Sequence, residues 1–300
     1  MKAVKLKKYN PYDCDLSKYY YDPVAGQVAV DFIEGYITHV KGELGEKPFL
    51  LLDWEKEFVS NLFGWKVRGT GLRRYREAFV FCARKNGKSP LGAAIALYLL
   101  IIDNEPGAEL ISIAADREQA RAIFDTARFM VKQNPKLNEL VNAYHNAILL
   151  KDGASVYKVV SSHVGGKHGG NLHAALFDEL HTQKDRELYD VIQTSFGARR
   201  QPLLISFSTA GYDRESICYE VYETARQVSE GLIQRDWFYP VIYQVEPEDD
   251  WTSEEVWKKA NPSLGHTIKI DYLRQEFQKA LSSPAYQNTF KRLYLNMWTS

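Results

Sequence analysis

The chain has 300 residues, enough for one large domain, or for a domain with a small appendage, with an ample core. Its 38 basic and 38 acidic residues cancel, so any contact with nucleic acid requires a local patch, and net charge neither supports nor excludes DNA binding. The three cysteines lie far apart without zinc-ligand spacing, and the longest apolar run is too short to span a membrane, which favours a cytosolic protein without structural zinc.

The first part of the chain is polar and aromatic. Residues 1–48 are interpreted as an N-terminal helical layer that packs on the main domain. Residues 51–59 predict a short helix with Trp54 and Phe58 on one face. The basic, glycine-containing segment 68–76 suits either a phosphate contact or a solvated hairpin, and the sequence leaves both open.

A phosphate-binding loop is predicted where a β-rich apolar run at 79–83 passes through Gly87, Lys88 and Ser89 into a helical apolar run. Backbone N–H groups of such a loop, with the positive end of the following helix, form an anion site. Lys88 would add positive charge there, and Ser89 a hydroxyl for magnesium. Cys82 stands where the standard pattern has its first glycine, so a plain turn with a solvated lysine is the alternative.

Strands and helices then alternate in the pattern of a parallel sheet covered by helices on both faces. An amphipathic helix is predicted at 117–133, a hairpin turn at 151–153, and mainly helical structure from residue 253 onward. The predicted strands after the loop are residues 109–115, 146–150, 155–162, 174–177, 202–208 and 236–245.

Polar side chains end two of these strands. Asp178 and Glu179 follow the strand at 174–177, which places them at the carboxyl edge of the sheet, where open α/β folds bind ligands. The first acid can hold magnesium through water, and the second can orient and deprotonate an attacking water. Such a pair can also merely cap a helix, but the phosphate-binding loop favours the catalytic interpretation. Ser208 and Thr209 would reach the same edge, either to sense the γ-phosphate or to form a polar turn.

Four motifs in this order resemble the ATPase domain of the large terminase subunit of tailed bacteriophages. They are Trp54-Glu55 and residues 83–89, 176–181 and 208–211. The resemblance covers roughly residues 45–298. It implies an α/β P-loop NTPase of the additional-strand catalytic-glutamate type, with a mainly parallel sheet between helices and a small C-terminal helical lid. The chain is therefore divided into the N-terminal layer (1–48), the ATPase core (49–250) and the lid (251–300).

The resemblance also implies roles for single residues. Lys88 and Ser89 would bind phosphates and magnesium, Asp178 would complete the magnesium site, and Glu179 would be the catalytic base. Arg84 matches an arginine that points at the γ-phosphate. The remaining matches are Lys85, Asn86 and Gly87 in the loop, Ser208, Thr209 and Ala210 in a coupling motif, and Trp54-Glu55 in an adenine-side motif that usually reads Trp-Gln.

In that family the domain hydrolyses ATP to drive double-stranded DNA through a portal into an empty capsid. The implied cofactors are ATP and Mg²⁺, and the implied partners are double-stranded DNA, the portal protein and the small terminase subunit. The implied setting is the bacterial host cytoplasm, with the protein a homo-oligomeric ring when assembled and a monomer in isolation. The family's nuclease domain would begin where this chain ends, so nuclease activity is not expected here.

A basic residue from a neighbouring subunit also serves the site in that family. The matching region of this sequence offers Lys167, with Arg199 or Arg200 as alternatives. Two other classes stay open: a helicase-like or restriction-type DNA-dependent ATPase, and a nucleotide-gated assembly protein without catalysis. A helicase of the first class needs a second motor lobe, and nothing after residue 215 repeats the first strand pattern. A protein of the second class has no need of the hydrolytic base Glu179.

Overall fold

Short apolar stretches of the chain form the strands of a mainly parallel sheet. The computed structural model describes residues 7–115, 117–151, 153–161, 170–183 and 186–299. The strands are β1 (Tyr19–Tyr21), β2 (Trp65–Val67), β3 (Glu77–Phe81), β4 (Glu109–Ala114), β5 (Val141–Ala143), β6 (Ala147–Leu150), β7 (Val156–Ser161), β8 (Ala174–Phe177), β9 (Leu203–Ser208) and β10 (Phe238–Ile242).

Within the described chain, eight of these strands form one sheet in the order β10-β3-β9-β8-β4-β7-β6-β5. Neighbours from β10 to β7 are parallel, and β6 is antiparallel to both of its neighbours. β9 lies between β3, which leads into the predicted phosphate loop, and β8, which ends at Asp178. The additional strand is therefore in place, and the predicted fold class is confirmed.

Helices cover both faces of the sheet. They are α1 (Pro23–Tyr36), α2 (Asp53–Gly64), α3 (Lys88–Ile101), α4 (Arg117–Gln133), α5 (Pro135–Leu140), α6 (Glu187–Thr194), α7 (Ile217–Glu230), α8 (Glu254–Trp257), α9 (Ile270–Ser282) and α10 (Pro284–Tyr294), with 3-10 helices at Gly42–Leu44 and Leu180–Thr182. None of the helices in the described ranges has the length and apolar character that a membrane crossing requires.

Helix α3 lies directly beneath the sheet because its residues are small or apolar on every side. At Gly92 a Cβ atom would come within 2.9 Å of the Phe207 ring on β9, so glycine permits this close approach. One apolar cluster joins α1, α2, α3 and α4 to one face of the sheet, and another joins α6 and α7 to the opposite face. A third cluster, built from α8, α9 and α10, includes Ala83 of the predicted phosphate loop. Helices therefore pack on both faces of the sheet, and the C-terminal helices pack beside the predicted phosphate loop.

The N-terminal part is less helical than expected. Helix α1 is present, but β1 precedes it and pairs antiparallel with β2. The hairpin interpretation of segment 68–76 is confirmed, because residues 68–71 form an exposed turn closed by an antiparallel bridge between Lys66 and Arg73. Its central arginines, however, are buried rather than solvated. Arg73 pairs with Asp103 at 2.9 Å, and Arg74 donates to the carbonyl oxygens of Pro11 and Asp236, each at 2.8 Å. Buried guanidinium groups need such partners, so these two arginines have a structural role in the fold.

Candidate active site

The predicted phosphate loop connects β3 to α3 at the carboxyl edge of the sheet. Lys85 and Gly87 adopt left-handed backbone conformations, with φ of 68° and 84°, which turn the chain sharply before the helix begins. The buried Lys88 ammonium donates to the carbonyl oxygens of Cys82 (2.8 Å) and Ala83 (3.0 Å) and to Thr209 Oγ1 (2.9 Å). Lys88 is therefore not a solvated surface lysine, because its charge is held inside the loop.

Ser89 and Asp178 meet at the start of α3. Ser89 Oγ donates to Asp178 Oδ2 at 2.9 Å, whereas Oδ1 of the same carboxyl is buried without a hydrogen-bond partner in the described part of the chain. Burial, and then the neighbouring Glu179, raise the pKa of Asp178 to about 6. A buried, unpartnered carboxylate oxygen beside a serine hydroxyl fits Mg²⁺, which takes oxygen ligands and is usually held by one or two carboxylates together with phosphates.

Glu179 follows in a left-handed conformation, with φ of 51°, and it lines the cavity in front of the loop. Its Oε2 atom lies 3.2 Å from His181 Nδ1. Burial raises the pKa of Glu179, but His181, Lys88 and Arg84 outweigh that effect and lower the pKa to about 2. The carboxylate is therefore ionised at neutral pH, and so weak a base can orient a water molecule more readily than it can take its proton in advance. His181 is a neighbour to which sequence reasoning gave no role.

The end of β9 joins the phosphate loop to the carboxylate segment. Thr209 Oγ1 accepts from Lys88 and donates to the Cys82 carbonyl at 3.2 Å. Ser208 Oγ accepts from the backbone N–H of His181 at 3.1 Å. The backbone N–H of Ala210 donates to Asn296 Oδ1 at 2.8 Å. The predicted coupling residues therefore lie on the same edge as Lys88 and Glu179, and they also contact the C-terminal segment.

Asn86 fixes the phosphate loop against the C-terminal helical region. Its side chain is fully buried, and Nδ2 donates to the Ala83 carbonyl (3.1 Å) and to Asn261 Oδ1 (2.9 Å). Oδ1 accepts from the backbone N–H of Ser263 at 3.0 Å, and Ser263 Oγ donates to the Asn86 carbonyl at 3.0 Å. The side chain of Asn86 thus positions the loop. The backbone N–H of Asn86 is then the group of this residue that is left to contact a phosphate. Sequence reasoning missed Asn261 and Ser263.

The adenine-side pair lies behind the loop rather than in front of it. Trp54 is 6% exposed, and its indole N–H donates to Ser263 Oγ at 2.9 Å. Glu55 Oε2 accepts from the backbone N–H of Leu52 at 2.9 Å, and Oε1 lies 3.3 Å from the position of a Cβ atom on Gly87. Neither Trp54 nor Glu55 lines the cavity in front of the loop. Trp54 lines a separate cavity of about 290 Å³ together with Glu57 and Tyr243, and the adenine-side role of the pair stays a prediction.

A cavity of about 840 Å³ opens in front of the loop. Its lining includes the exposed Arg84 and the loop residues up to Pro90, together with Glu179. Further lining comes from two parts of the chain that sequence reasoning left unassigned: His39, Lys41, Gly42, Glu43, Leu44, Gly265, His266, Thr267 and Lys269.

The three candidates for a trans-acting basic residue differ in their position and in their contacts. Lys167 lies outside the described residues. Arg199 is wrong as a candidate, because its guanidinium donates to the carbonyl oxygens of Asn171, Pro106 and Gly107 at 2.6 to 2.9 Å. Arg200 carries no such set of bonds in the described chain and stays an untested alternative to Lys167.

Burial raises the pKa of Glu55 to about 7 from an ordinary value of 4.5. Between those values the folded chain binds a proton that the unfolded chain has released, so this carboxyl lowers stability as pH rises. We expect Glu55→Gln, relative to the parent, to gain about 2 kcal/mol in free energy of unfolding between pH 5 and pH 8. Urea unfolding at both pH values measures this gain. The exposed Glu139→Gln should show none, and a Glu55→Gln difference independent of pH would contradict the prediction.

Comparison with known proteins gives consistent matches. The family model described as "Terminase large subunit, ATPase domain" matches residues 53–227. The terminase large subunit of Enterobacteria phage HK97 is 29% identical over 281 residues, which cover 92% of this chain and 53% of that protein. The chain therefore spans about half the length of that relative.

Solved structures match as well. The crystal structure of the HK97 bacteriophage large terminase has a TM-score of 0.79 at 27% identity, covering 91% of this chain and 55% of that one. The ATPase domain of the Thermus phage P74-26 large terminase has a TM-score of 0.51 at 16% identity, covering 72% of this chain and 86% of that one. The second match bears on the fold alone.

Proposed function

This chain belongs to the family of phage terminase large-subunit ATPase domains, and we propose that it powers a viral DNA-packaging motor by hydrolysing ATP to translocate double-stranded DNA into a procapsid. The observation that carries the proposal is the convergence of Lys88, Ser89, Asp178, Glu179 and Thr209 at one edge of the sheet, linked by the Lys88–Thr209 and Ser89–Asp178 hydrogen bonds of 2.9 Å. Phosphoryl transfer needs this set: a phosphate cradle, a magnesium site and a group that positions water.

Phosphate binding would exchange the partners of Lys88. In the described structure its ammonium is bonded to the carbonyl oxygens of Cys82 and Ala83. Charged phosphate oxygens are stronger acceptors than neutral carbonyls, so the β- and γ-phosphates would draw the ammonium toward the cavity. Ser89 and Asp178 would hold Mg²⁺, which neutralises charge on the phosphates when bound. Arg84, exposed on the cavity wall, would meet charge on the γ-phosphate.

Glu179 would orient the attacking water, and His181 would hold its carboxylate in place. Thr209 offers a route from chemistry to movement, because its hydroxyl shares a hydrogen bond with the ammonium that must move. A shift of Lys88 changes the bonding of Thr209 and so of the segment 208–210. Through Ala210 that segment is bonded to Asn296 in the C-terminal region. Residues 208–210 are therefore the proposed coupling motif. We also propose that residues 1–48 form an N-terminal layer, residues 49–250 the ATPase core and residues 251–300 the lid.

In the proposed function the partners are double-stranded DNA, the portal protein and the small terminase subunit, and the chain works as a ring docked on the procapsid in the host cytoplasm. Lys167 is the proposed trans-acting residue of that ring. A lysine lacks the bidentate fork of an arginine, so stimulation by assembly should be present but weaker than an arginine would give.

The test is steady-state ATP hydrolysis with and without double-stranded DNA and portal-bearing procapsids. We expect a slow basal rate that rises with assembly, because each site is completed by its neighbour. Mixtures of Lys167→Ala and Glu179→Gln subunits should regain part of the stimulated rate, since some sites then join an intact Glu179 to an intact Lys167. If assembly stimulates the parent while no mixture exceeds the sum of the two variants, Lys167 is not the trans-acting group. Failure of DNA and procapsids to stimulate the parent would contradict the packaging function itself.

A further inference from the structure

The C-terminal helical region holds the backbone of the phosphate loop from its first residues onward. The backbone N–H of Ala83 donates to the Ala260 carbonyl at 3.1 Å, and that of Arg84 donates to the Leu293 carbonyl at 2.9 Å. These two loop donors are therefore engaged by the C-terminal region, and the N–H groups left for a phosphate come later in the loop.

The next two loop residues are held through their carbonyl groups. Thr267 Oγ1 donates to the Lys85 carbonyl at 2.6 Å, and Ser263 Oγ donates to the Asn86 carbonyl at 3.0 Å. Four consecutive loop residues, 83–86, are thus bonded to residues that lie more than 170 positions further along the chain. The conformation of the loop depends on where the C-terminal helices are.

Asn261 lies at the centre of these contacts and is buried. Its Nδ2 atom donates to the Trp257 carbonyl at 2.9 Å and to the Tyr294 carbonyl at 2.7 Å, which are the last residues of α8 and α10. Carbonyl groups at helix ends lack partners within the helix, so Asn261 satisfies one carbonyl on each helix. Its Oδ1 atom accepts from Asn86 Nδ2 at 2.9 Å. One side chain therefore joins two C-terminal helices to the phosphate loop.

The chemistry of this position requires an asparagine. The two carbonyl oxygens need two N–H donors, and Asn86 Nδ2 needs an acceptor, which a short side-chain amide supplies together. An aspartate would place a carboxylate against two carbonyl oxygens, and an alanine would leave all three buried partners unsatisfied. The orientation of the amide is fixed by the two carbonyl oxygens, so its oxygen has to face Asn86.

We propose that Asn261 is a positioning residue for phosphate binding, which acts through Asn86 to hold the loop in its binding conformation before a phosphate arrives. This role rests on the proposed function, because it takes the loop to be the phosphate site. A loop that is already ordered loses less conformational freedom on binding, so it binds more tightly. Movement of α8 and α10 away from the loop would break the Asn86–Asn261 bond and lower the affinity for nucleotide phosphates.

The experiment measures binding of inorganic pyrophosphate with Mg²⁺ by calorimetry, below the melting temperature of every variant. Asn261→Ala should weaken this binding about tenfold, the size of effect that one buried hydrogen bond gives. Phe290→Leu is the matched control. Phe290 is fully buried in the apolar cluster of the same helices, so the change loosens their packing but removes no hydrogen bond to the loop, and pyrophosphate should bind as to the parent.

Two further variants test the contact from other sides. Asn86→Ala removes the Asn86–Asn261 bond while the bonds of Asn261 to both helices remain, and Asn86→Ala combined with Asn261→Ala should bind pyrophosphate as Asn86→Ala does alone. Thr267→Val removes an exposed hydroxyl, which leaves the fold intact, and should weaken pyrophosphate about threefold. In steady-state hydrolysis a loss of folded protein lowers the apparent kcat alone, whereas a misplaced loop raises the KM for ATP.

The outcomes separate the positioning role from the proposed function. Parent-like pyrophosphate binding in Asn261→Ala, an equal loss in Phe290→Leu, or effects of Asn86→Ala and Asn261→Ala that simply add would each overturn the role of Asn261. If Asn261→Ala does not fold, Asn86→Ala and Thr267→Val decide, and parent-like binding in both overturns it. Lys88→Met should weaken pyrophosphate binding in any case. If it does not, the loop is not the phosphate site, and the proposed function fails as well.

Discussion

Replacing Glu179 with glutamine is expected to preserve ATP binding and to lower kcat by about 100-fold or more, the usual range for losing a group that acts on the reacting water. Glutamine keeps the size of the side chain but not the charge that His181, Lys88 and Arg84 stabilise. Because a carboxylate with so low a pKa mainly orients water, the loss should appear in kcat and not in the affinity for ATP.

Phosphate release measured over a range of ATP concentrations, together with calorimetric binding of ATP, separates these two quantities. The exposed Glu215→Gln, which lies beyond the coupling motif, is the matched control and should behave as the parent. Turnover of Glu179→Gln close to the parent rate would remove Glu179 from the catalytic role.

Replacing Lys88 with alanine is expected to weaken ATP binding by about 100-fold, as the loss of charge-assisted hydrogen bonds to phosphate implies. The same change removes the donor that satisfies the carbonyl oxygens of Cys82 and Ala83 and the hydroxyl of Thr209. Lys88→Met is the matched variant, because it removes the same charged donor while keeping most of the volume of the side chain.

At equal ATP and Mg²⁺ concentrations both Lys88 variants should show a much smaller rise in melting temperature than the parent, since ligand stabilisation grows with the logarithm of ligand concentration over Kd. A full ATP-dependent rise in Lys88→Met would contradict the assignment of Lys88 to phosphate binding, whatever the stability of the variant alone.

Local patterns in the sequence predicted much of the fold. The bounds of β8 and α4 agree with the predicted residues 174–177 and 117–133, because the first is an apolar run stopped by two acids and the second repeats apolar residues at helical spacing. The hairpin of β6 and β7 likewise followed from its turn signal. The convergence of Lys88, Asp178 and Thr209 was predictable because the carboxyl ends of parallel strands share one edge.

Contacts between distant segments were not predictable in this way. Asn86 and Asn261 are 175 residues apart, and an asparagine carries no periodic signal of its partner. The same holds for Asn296 and its bond to Ala210. Trp54 matched a motif by its neighbours in sequence, yet its exposure depends on the packing of Ser263, which the motif does not contain. The burial of Arg73 and Arg74 was not predictable either, because their acidic and carbonyl partners lie far along the chain.

The most direct test of the site is a structure of the Glu179→Gln chain with ATP and Mg²⁺. We expect the β- and γ-phosphates on the backbone N–H groups of residues 86–89, Lys88 Nζ moved from the Cys82 and Ala83 carbonyls to a phosphate oxygen, and Mg²⁺ near Ser89 and Asp178. Nucleotide bound away from this loop, or phosphates bound there with Lys88 still on both carbonyl oxygens, would contradict the assignment of the phosphate site.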